Sequence, residues 1–306
     1  MTQPLVAKLP LVYIQAASHS GSTLLASQLA RHPEVASVGE LAGTPYRARP
    51  GYQCSCGAEL ERCGFWREVS AAMARRGYAY SATTAQTDIR NAPNPIARRL
   101  LVHRHRGPLL EALRGAALAL VPGARAHLER HQRLMAALVE SVLECTGKSV
   151  LVDSSKSGVQ VKYHLKNPRL GVKLIWLVRD GRGVARSIAR NQRTSLEQGA
   201  YEWRRRNEEA GAIVRGLDPS RWIQVRYEAL CAEPGPTLER LWRFIGVAPE
   251  RVNGAACELH VLGHGSRLKG PAPIRINEGW RSELSAQDLR QFDGVAGALS
   301  RELGYR

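Results

Sequence analysis

The sequence lacks an apolar run long enough to cross a membrane. A membrane-spanning helix needs about 20 consecutive, mostly apolar residues, and no stretch of the 306 residues comes near that length. The short apolar run at residues 9–17 has a lysine ahead of it, as a signal segment would, but it is better explained as a buried strand that enters a glycine-containing loop. We therefore expect a cytoplasmic protein with no stable membrane span.

The sequence also lacks the paired cysteines of a typical zinc site. Its six cysteines are too few, in a chain of this length, for a disulfide framework. Cys54, Cys56 and Cys63 lie close together, but their spacing is C-x-C and C-x6-C rather than C-x2-C, and no second pair follows. The spacing favours a local loop staple and no metal, while leaving open whether the three thiols bind a metal ion or form a disulfide.

Acidic residues are scarce relative to basic ones. The chain has 27 Asp and Glu against 44 Lys and Arg, a net charge of +17. This charge favours a polyanionic partner such as nucleic acid, an acidic glycan or a phosphorylated nucleotide, although an arginine-rich composition also results from GC-rich coding. The basic run at residues 98–106 has helical spacing but no interleaved aromatics for base stacking, so we expect no nucleic-acid partner.

Alternating strand and helix patterns predict an α/β fold. A short, partly β-branched apolar run indicates a strand at residues 11–16, and continuous apolar runs indicate buried strands at residues 149–153 and 172–178. Residues 222–227 supply a fourth strand. Helical patterns follow at residues 182–193, 195–215 and 237–245, and residues 65–145 are mostly helical with breaks at 91–95 and 122–123. A capping box formed by Ser285 and Asp288 opens a last helix. We expect one domain over residues 1–306, a P-loop-like parallel sheet flanked by helices with a mainly helical insertion at about 65–145, and a ligand at the carboxyl ends of the strands.

The loop after the first predicted strand has the features of a phosphate-binding loop. Residues 18–25 (SHSGSTLL) lie between a strand and a helix, where backbone amides, a glycine and hydroxyls can hold a phosphate. The Walker pattern G-x4-G-K-[ST] is absent, since one glycine is present and no lysine follows it. A γ-phosphate and its magnesium ion would therefore lack their usual ligands. A serine-rich turn that only caps the helix is the alternative.

A second motif closes another buried strand and enters a helix. In residues 177–187 (LVRDGRGVARS), Arg179 stands at the end of the strand and Ser187 about two turns into the helix. The guanidinium and the hydroxyl can converge on one phosphate group. A salt bridge between Arg179 and Asp180 is the alternative.

Together these motifs resemble the sulfotransferase family that uses 3′-phosphoadenosine 5′-phosphosulfate (PAPS). SHSGSTLL is similar to the family's 5′-phosphosulfate loop, and LVRDGRGVARS to its 3′-phosphate motif. RYEAL at residues 226–230 resembles the family's R-Y-E-D-L segment, whose Tyr lies near the adenosine. Residues 260–270 and WRSEL at 280–284 resemble the C-terminal phosphate-contacting loop and the W-K/R-x-x-L after it. The stretch at residues 54–66 resembles a bacterial branch, and the resemblance as a whole spans residues 11–284.

The resemblance implies the co-substrate and the residues that hold it. PAPS would donate its sulfuryl group to a hydroxyl or amine of a small-molecule or glycan acceptor, without a metal, and leave as adenosine 3′,5′-bisphosphate. His19 departs from the family, which usually has Arg or Lys there, so the sulfonate is held less firmly unless His19 is protonated or another cation substitutes. The donor-binding residues would be His19, Ser20, Gly21, Ser22, Thr23, Leu24, Arg179, Ser187, Tyr227, Arg267 and Lys269.

Three residues are candidates for catalysis: Glu40, Lys156 and His19. Glu40 falls where a Gly-Glu ends the second strand region in the tyrosylprotein and carbohydrate branches, whose Glu takes the acceptor's proton as general base. Lys156 follows a buried strand and so points into the same crevice, where related branches have a Lys that contacts the transferring group. A solvated Glu and an exposed Lys are the alternatives, and Asp153 would orient the loop. The alternative functions are a P-loop kinase or phosphotransferase and a basic nucleic-acid-binding protein.

Overall fold

A parallel sheet forms the centre of the computed structural model, which describes residues 7–84, 86–249, 259–263, 268 and 274–306. The strands are β1 (Leu9–Ala16), β2 (Val35–Ser37), β3 (Val150–Asp153), β4 (Leu170–Val178) and β5 (Trp222–Arg226). They lie in the order β2-β3-β1-β4-β5, and each neighbouring pair is parallel. The apolar β1 is therefore the central strand, and the predicted α/β fold with a P-loop-like parallel sheet is confirmed.

Helices occupy both faces of the sheet and the stretch between β2 and β3. They are α1 (Ser22–Leu29), α2 (Gly64–Arg75), α3 (Pro95–Val102), α4 (Pro108–Ala119), α5 (Ala124–Thr146), α6 (Gly158–His164), α7 (Gly181–Gln192), α8 (Leu196–Val214), α9 (Tyr227–Ala232), α10 (Pro234–Ile245), α11 (Trp280–Glu283) and α12 (Ala286–Glu302). The Ser285–Asp288 capping box begins α12 as predicted, and the breaks predicted near Pro95 and Gly123 fall where α3 and α5 begin. Short-range cap and turn chemistry thus sets several helix ends.

Side chains of β1 alternate between two hydrophobic layers, as the period of two in a strand requires. Leu11 and Tyr13 belong to a core cluster that includes residues of α5, α8 and α12. Val12 and Ile14 face the other way, into a cluster that includes residues of α1 and α10. Both faces of β1 are covered, which explains why its sequence is a nearly continuous apolar run rather than an alternating one.

The short strand β2 is not predicted by the sequence pattern. It has three residues, and its pairing with β3 runs from Val35 opposite Val150 to Ser37 opposite Val152. A run this short carries no detectable period of its own. It forms because the chain leaving α1 is brought beside β3, and it delivers residues 38–40 to the carboxyl edge of the sheet.

Within the described ranges, no helix combines the length and the apolar character that crossing a membrane would require.

Candidate functional site

Polar segments follow the strands at the carboxyl edge of the sheet, where parallel α/β folds bind ligands. The segments are residues 17–21 after β1, 38–40 after β2, 154–157 after β3, 179–180 after β4 and Tyr227 after β5. They contain most of the residues that the sequence predicts for the site.

The loop between β1 and α1 has the geometry of an anion cradle. Gly21 has φ of 91°, and a Cβ at this position would lie 2.6 Å from Cδ2 of Tyr227, so both the conformation and the packing require glycine. No side chain in the described part of the chain caps the first turn of α1. The Ser20 hydroxyl is buried and has no hydrogen-bond partner among the described residues. Helix amides beside a buried hydroxyl with no partner suit a phosphate or sulfonate.

Arg179 joins this loop to a segment near the end of the chain. Its side chain donates from Nη1 to the carbonyl oxygen of His19 at 2.9 Å and from Nη2 to that of Asn277 at 2.8 Å. The guanidinium also stacks on the ring of Tyr227, 4.4 Å from its centroid. His19 has φ of 63°, a left-handed conformation that turns its carbonyl toward this arginine. Arg179, His19 and Tyr227 therefore form one contiguous group beside the cradle.

Ser187 and Tyr227 are both engaged with backbone carbonyls. Ser187 Oγ donates to the Gly183 carbonyl one turn earlier in α7, at 2.8 Å. Tyr227 Oη donates to the Arg275 carbonyl at 2.8 Å. A serine hydroxyl that bonds to its own helix can rotate toward a ligand at little cost.

Two of the predicted donor-binding residues, Arg267 and Lys269, lie outside the described residues. Sequence reasoning, conversely, missed the carbonyls of Arg275 and Asn277, which bond to Tyr227 and Arg179. Backbone carbonyls leave no signal in residue type, so these contacts could be found only from the structure.

Glu40 and Lys156 form a half-buried ion pair. Lys156 Nζ lies 2.7 Å from Oε1 of Glu40, and the two side chains are 15% and 16% exposed. The same ammonium donates to the Ser154 carbonyl at 2.8 Å. The Glu40 amide donates to the Leu262 carbonyl at 3.2 Å, which fixes the backbone that carries the carboxylate. This pair places a proton acceptor and a cation side by side at the carboxyl edge.

Asp153, at the end of β3, holds the two loops that carry this pair. Its Oδ1 accepts hydrogen bonds from the amide of Leu41 at 3.2 Å, from the amide of Ser155 at 2.8 Å and from the Ser155 hydroxyl at 2.5 Å. The residue is fully buried. Burial raises the pKa of Asp153 to about 6, against the opposing effect of these hydrogen bonds.

We expect Asp153→Asn to reveal this raised pKa in the pH dependence of stability. The pKa rises from 3.8 unfolded to about 6 folded, so the folded state binds more protons between these values, and wild-type stability falls as the pH rises through them. The loss is about 3 kcal/mol when complete. Asn cannot ionise, so the variant does not lose this stability. Between pH 4 and pH 6 the unfolding free energy of the variant should therefore rise relative to that of the wild type. Urea denaturation at pH 4, 5, 6 and 7 measures it, and a constant difference would contradict the raised pKa.

Comparisons with known proteins identify the family of this chain. A family model described as "Sulfotransferase family" matches residues 10–250. Mouse carbohydrate sulfotransferase 2 is 25% identical over 46% of this chain and 36% of that protein, so the chain spans about a third of the length of this curated relative.

Two solved structures share the fold. The sulfotransferase domain from the Synechococcus PCC 7002 olefin synthase is 18% identical with a TM-score of 0.54, covering 100% of this chain and 98% of that domain. The sulfotransferase domain from the curacin biosynthetic pathway is 17% identical with a TM-score of 0.51, covering 98% and 99%. At such identities the likeness concerns the fold alone. The family model, however, covers well over half of the sequence, and the chain belongs to the sulfotransferase family.

Proposed function

We propose that this chain transfers the sulfuryl group of PAPS to a hydroxyl or amine of an acceptor. The observation that carries the proposal is the anion cradle after β1, where the buried Ser20 hydroxyl has no hydrogen-bond partner among the described residues. The guanidinium of Arg179 is bonded to the same loop at His19. Membership of the sulfotransferase family supports the choice of a sulfuryl donor among possible anions.

In this proposal the two phosphate-binding motifs hold opposite ends of the donor. The loop residues His19, Ser20, Gly21, Ser22, Thr23 and Leu24 bind the 5′-phosphosulfate through backbone amides and hydroxyls. Arg179 and Ser187 bind the 3′-phosphate, the arginine through charge-assisted hydrogen bonds. Tyr227, already packed on Gly21 and Arg179, lies beside the adenosine. Arg267 and Lys269 supply further positive charge that helps to hold the 3′-phosphate.

The chemical step is an in-line displacement at sulfur. The acceptor oxygen or nitrogen attacks sulfur, the bond from sulfur to the bridging oxygen of the 5′-phosphate breaks, and the acceptor's proton passes to the carboxylate of Glu40. The ammonium of Lys156, paired with Glu40 at 2.7 Å, turns toward the transferring group in this proposal. There it neutralises developing negative charge together with His19 and the loop amides.

This step uses no metal ion in our proposal. The loop lacks the lysine that follows the second glycine of a Walker motif, and amides, hydroxyls and cationic side chains replace magnesium as the groups that balance charge. The same observation argues against a P-loop kinase. The basic run at residues 98–106 is partly used in internal contacts, such as Arg104 with Glu208 at 3.6 Å, which argues against a nucleic-acid-binding face.

The acceptor side of the site is proposed to lie among α2–α5 and the segment at residues 51–64. A small molecule or a glycan is the proposed acceptor class. A cytoplasmic location, a bacterial origin and a single domain over residues 1–306 remain predictions from the sequence.

Ligand-dependent thermal stability tests the proposal. Adenosine 3′,5′-bisphosphate at about 100 times its Kd should stabilise the protein by about 2.7 kcal/mol, a rise in Tm of several degrees. Adenosine 5′-monophosphate, which lacks the 3′-phosphate, is the matched control and should shift Tm less at equal concentration. A larger shift with ATP and magnesium would favour a kinase, and a shift only with a DNA oligomer would favour a nucleic-acid-binding protein; either result contradicts the proposal.

A further inference from the structure

Three thiols and one imidazole, none of them assigned a part in the proposed transfer step, converge on one point. Cys54, Cys56 and Cys63 come from the segment before α2, and His260 comes from far along the chain. Cys63 Sγ lies 3.7 Å from Cys56 Sγ and 3.5 Å from His260 Nδ1, and Cys54 Sγ lies 3.8 Å from the same nitrogen. All four atoms lie within 4.8 Å of one another.

Three of the six separations have the length expected between corners of a metal-centred tetrahedron, and the others are no longer than 4.8 Å. With metal–sulfur bonds of about 2.3 Å and a metal–nitrogen bond of about 2.05 Å, tetrahedral angles separate two sulfurs by about 3.8 Å and sulfur from nitrogen by about 3.6 Å. The observed sulfur–sulfur separation of 3.7 Å and sulfur–nitrogen separations of 3.5 and 3.8 Å match these values. These three edges already have the length that a bound zinc ion requires, and the four ligand atoms are close enough to reach one ion.

We propose that Cys54, Cys56, Cys63 and His260 bind one structural zinc ion. Three thiolates and an imidazole are a typical closed, four-coordinate zinc set, and soft sulfur ligands favour zinc over magnesium or calcium. A disulfide needs sulfurs at about 2.05 Å and would use only two of the three thiols. With four protein ligands the ion has no open position for a substrate, so its role is structural.

Neighbouring side chains hold His260 in the orientation that the site requires. The ring of Phe65 stacks on the imidazole with centroids 4.6 Å apart and an angle of 5° between planes. Trp66 Nε1 donates to the His260 carbonyl at 3.2 Å. Support of a metal-binding imidazole by its surroundings is general in metal sites.

The ion would tie the cysteine segment to the segment at residues 259–263, which lies against the Glu40 backbone. Ser55 Oγ accepts from the Val261 amide at 2.7 Å. The adjacent Leu262 pairs with Gly39, donating to the Val38 carbonyl at 2.8 Å and accepting from the Glu40 amide at 3.2 Å. A bond from Cys54 or Cys63 through zinc to His260 would thus fasten the chain that lies against Glu40.

Metal content of the untagged wild-type protein tests the proposal directly. Plasma mass spectrometry after exhaustive dialysis should find about one zinc ion per chain, and Co²⁺ added to chelator-treated protein should give the visible bands of tetrahedral cobalt with thiolate ligands. Removing zinc should speed amide hydrogen exchange in residues 52–66 and 259–263 relative to β4. Zinc below about one tenth of an equivalent, after refolding with added Zn²⁺ under reducing conditions, would overturn the proposal whatever the activity.

Variants separate the cluster from the other cysteines. Cys63→Ser and His260→Asn should each lower the zinc content at least tenfold, whereas Cys145→Ser, a free cysteine on α5 outside the cluster, should keep it. If Cys63→Ser fails to fold, the zinc content of the more conservative variant His260→Asn and the cobalt spectrum of the wild-type protein still show whether the cluster binds a metal ion. An intact mass two hydrogens below that of the reduced chain, with no zinc bound, would show a disulfide instead and overturn the proposal. An equal loss of zinc in Cys145→Ser would also overturn the assignment.

Discussion

Replacing Glu40 with Gln should lower kcat by about 10² to 10⁴ while leaving the affinity for the donor within about 0.5 kcal/mol. Gln keeps the size of the side chain and an oxygen that can accept a hydrogen bond from Lys156. In the wild type, Lys156 Nζ lies 2.7 Å from Glu40 Oε1. It cannot take the proton of the attacking acceptor. Steady-state kinetics with an alcohol acceptor and calorimetry with adenosine 3′,5′-bisphosphate measure the two quantities separately.

The matched control is Glu34→Gln, on an exposed residue before β2, which should change neither quantity. The defect in Glu40→Gln should also shrink for acceptors whose nucleophile is already deprotonated, since these need no base. Near-normal turnover of Glu40→Gln with an ordinary alcohol would place the base elsewhere, with His19 the next candidate.

Arg179→Ala should weaken the binding of adenosine 3′,5′-bisphosphate by about 2 kcal/mol or more, about 30-fold in Kd. The residue is 9% exposed, so a phosphate bound to its guanidinium is poorly hydrated and depends on that charge. Adenosine 5′-phosphosulfate, which lacks the 3′-phosphate, should bind almost unchanged. Calorimetry with both nucleotides gives the comparison.

Two nucleotides are compared because the loss of Arg179 has two effects on binding. Arg179 also bonds to the His19 carbonyl, so its loss disturbs the 5′ loop, and this disturbance weakens both nucleotides alike. Only the difference between them reports on the 3′-phosphate. Arg190→Ala, on an exposed residue of α7, is the control for general loss of positive charge. Equal losses for both nucleotides in Arg179→Ala would contradict the assignment of this motif.

The fold and the family could be predicted because their signals are local. Apolar runs locate β1, β3 and β4, the pattern at residues 222–227 locates β5, and the loop at residues 18–25 follows β1 directly. Once the strands are parallel, the segments after them must meet at one edge. That reasoning also predicts that Glu40 and Lys156 lie near one another, and the structure pairs them. Their catalytic roles stay predictions.

The features of the site that could not be predicted from the sequence depend on contacts between residues far apart in the chain. The three cysteines before α2 have an unusual spacing that favours a loop staple, and the fourth member of their cluster, His260, lies 197 residues after Cys63. No local pattern connects them. In the same way, the hydrogen bond from Arg179 to the Asn277 carbonyl spans 98 residues and involves a backbone atom that any residue supplies.

The position of β1 at the centre of the sheet has a consequence for synthesis on the ribosome. Its two neighbours, β3 and β4, begin at Val150 and Leu170, so a nascent chain exposes β1 without either partner until those residues have emerged. At about 5 to 20 residues per second this interval lasts on the order of 10 s, long enough for a chaperone to engage the apolar strand. The anion cradle after β1 therefore comes into being late, and a fragment that stops short of β4 would contain SHSGSTLL in full without the sheet that shapes it.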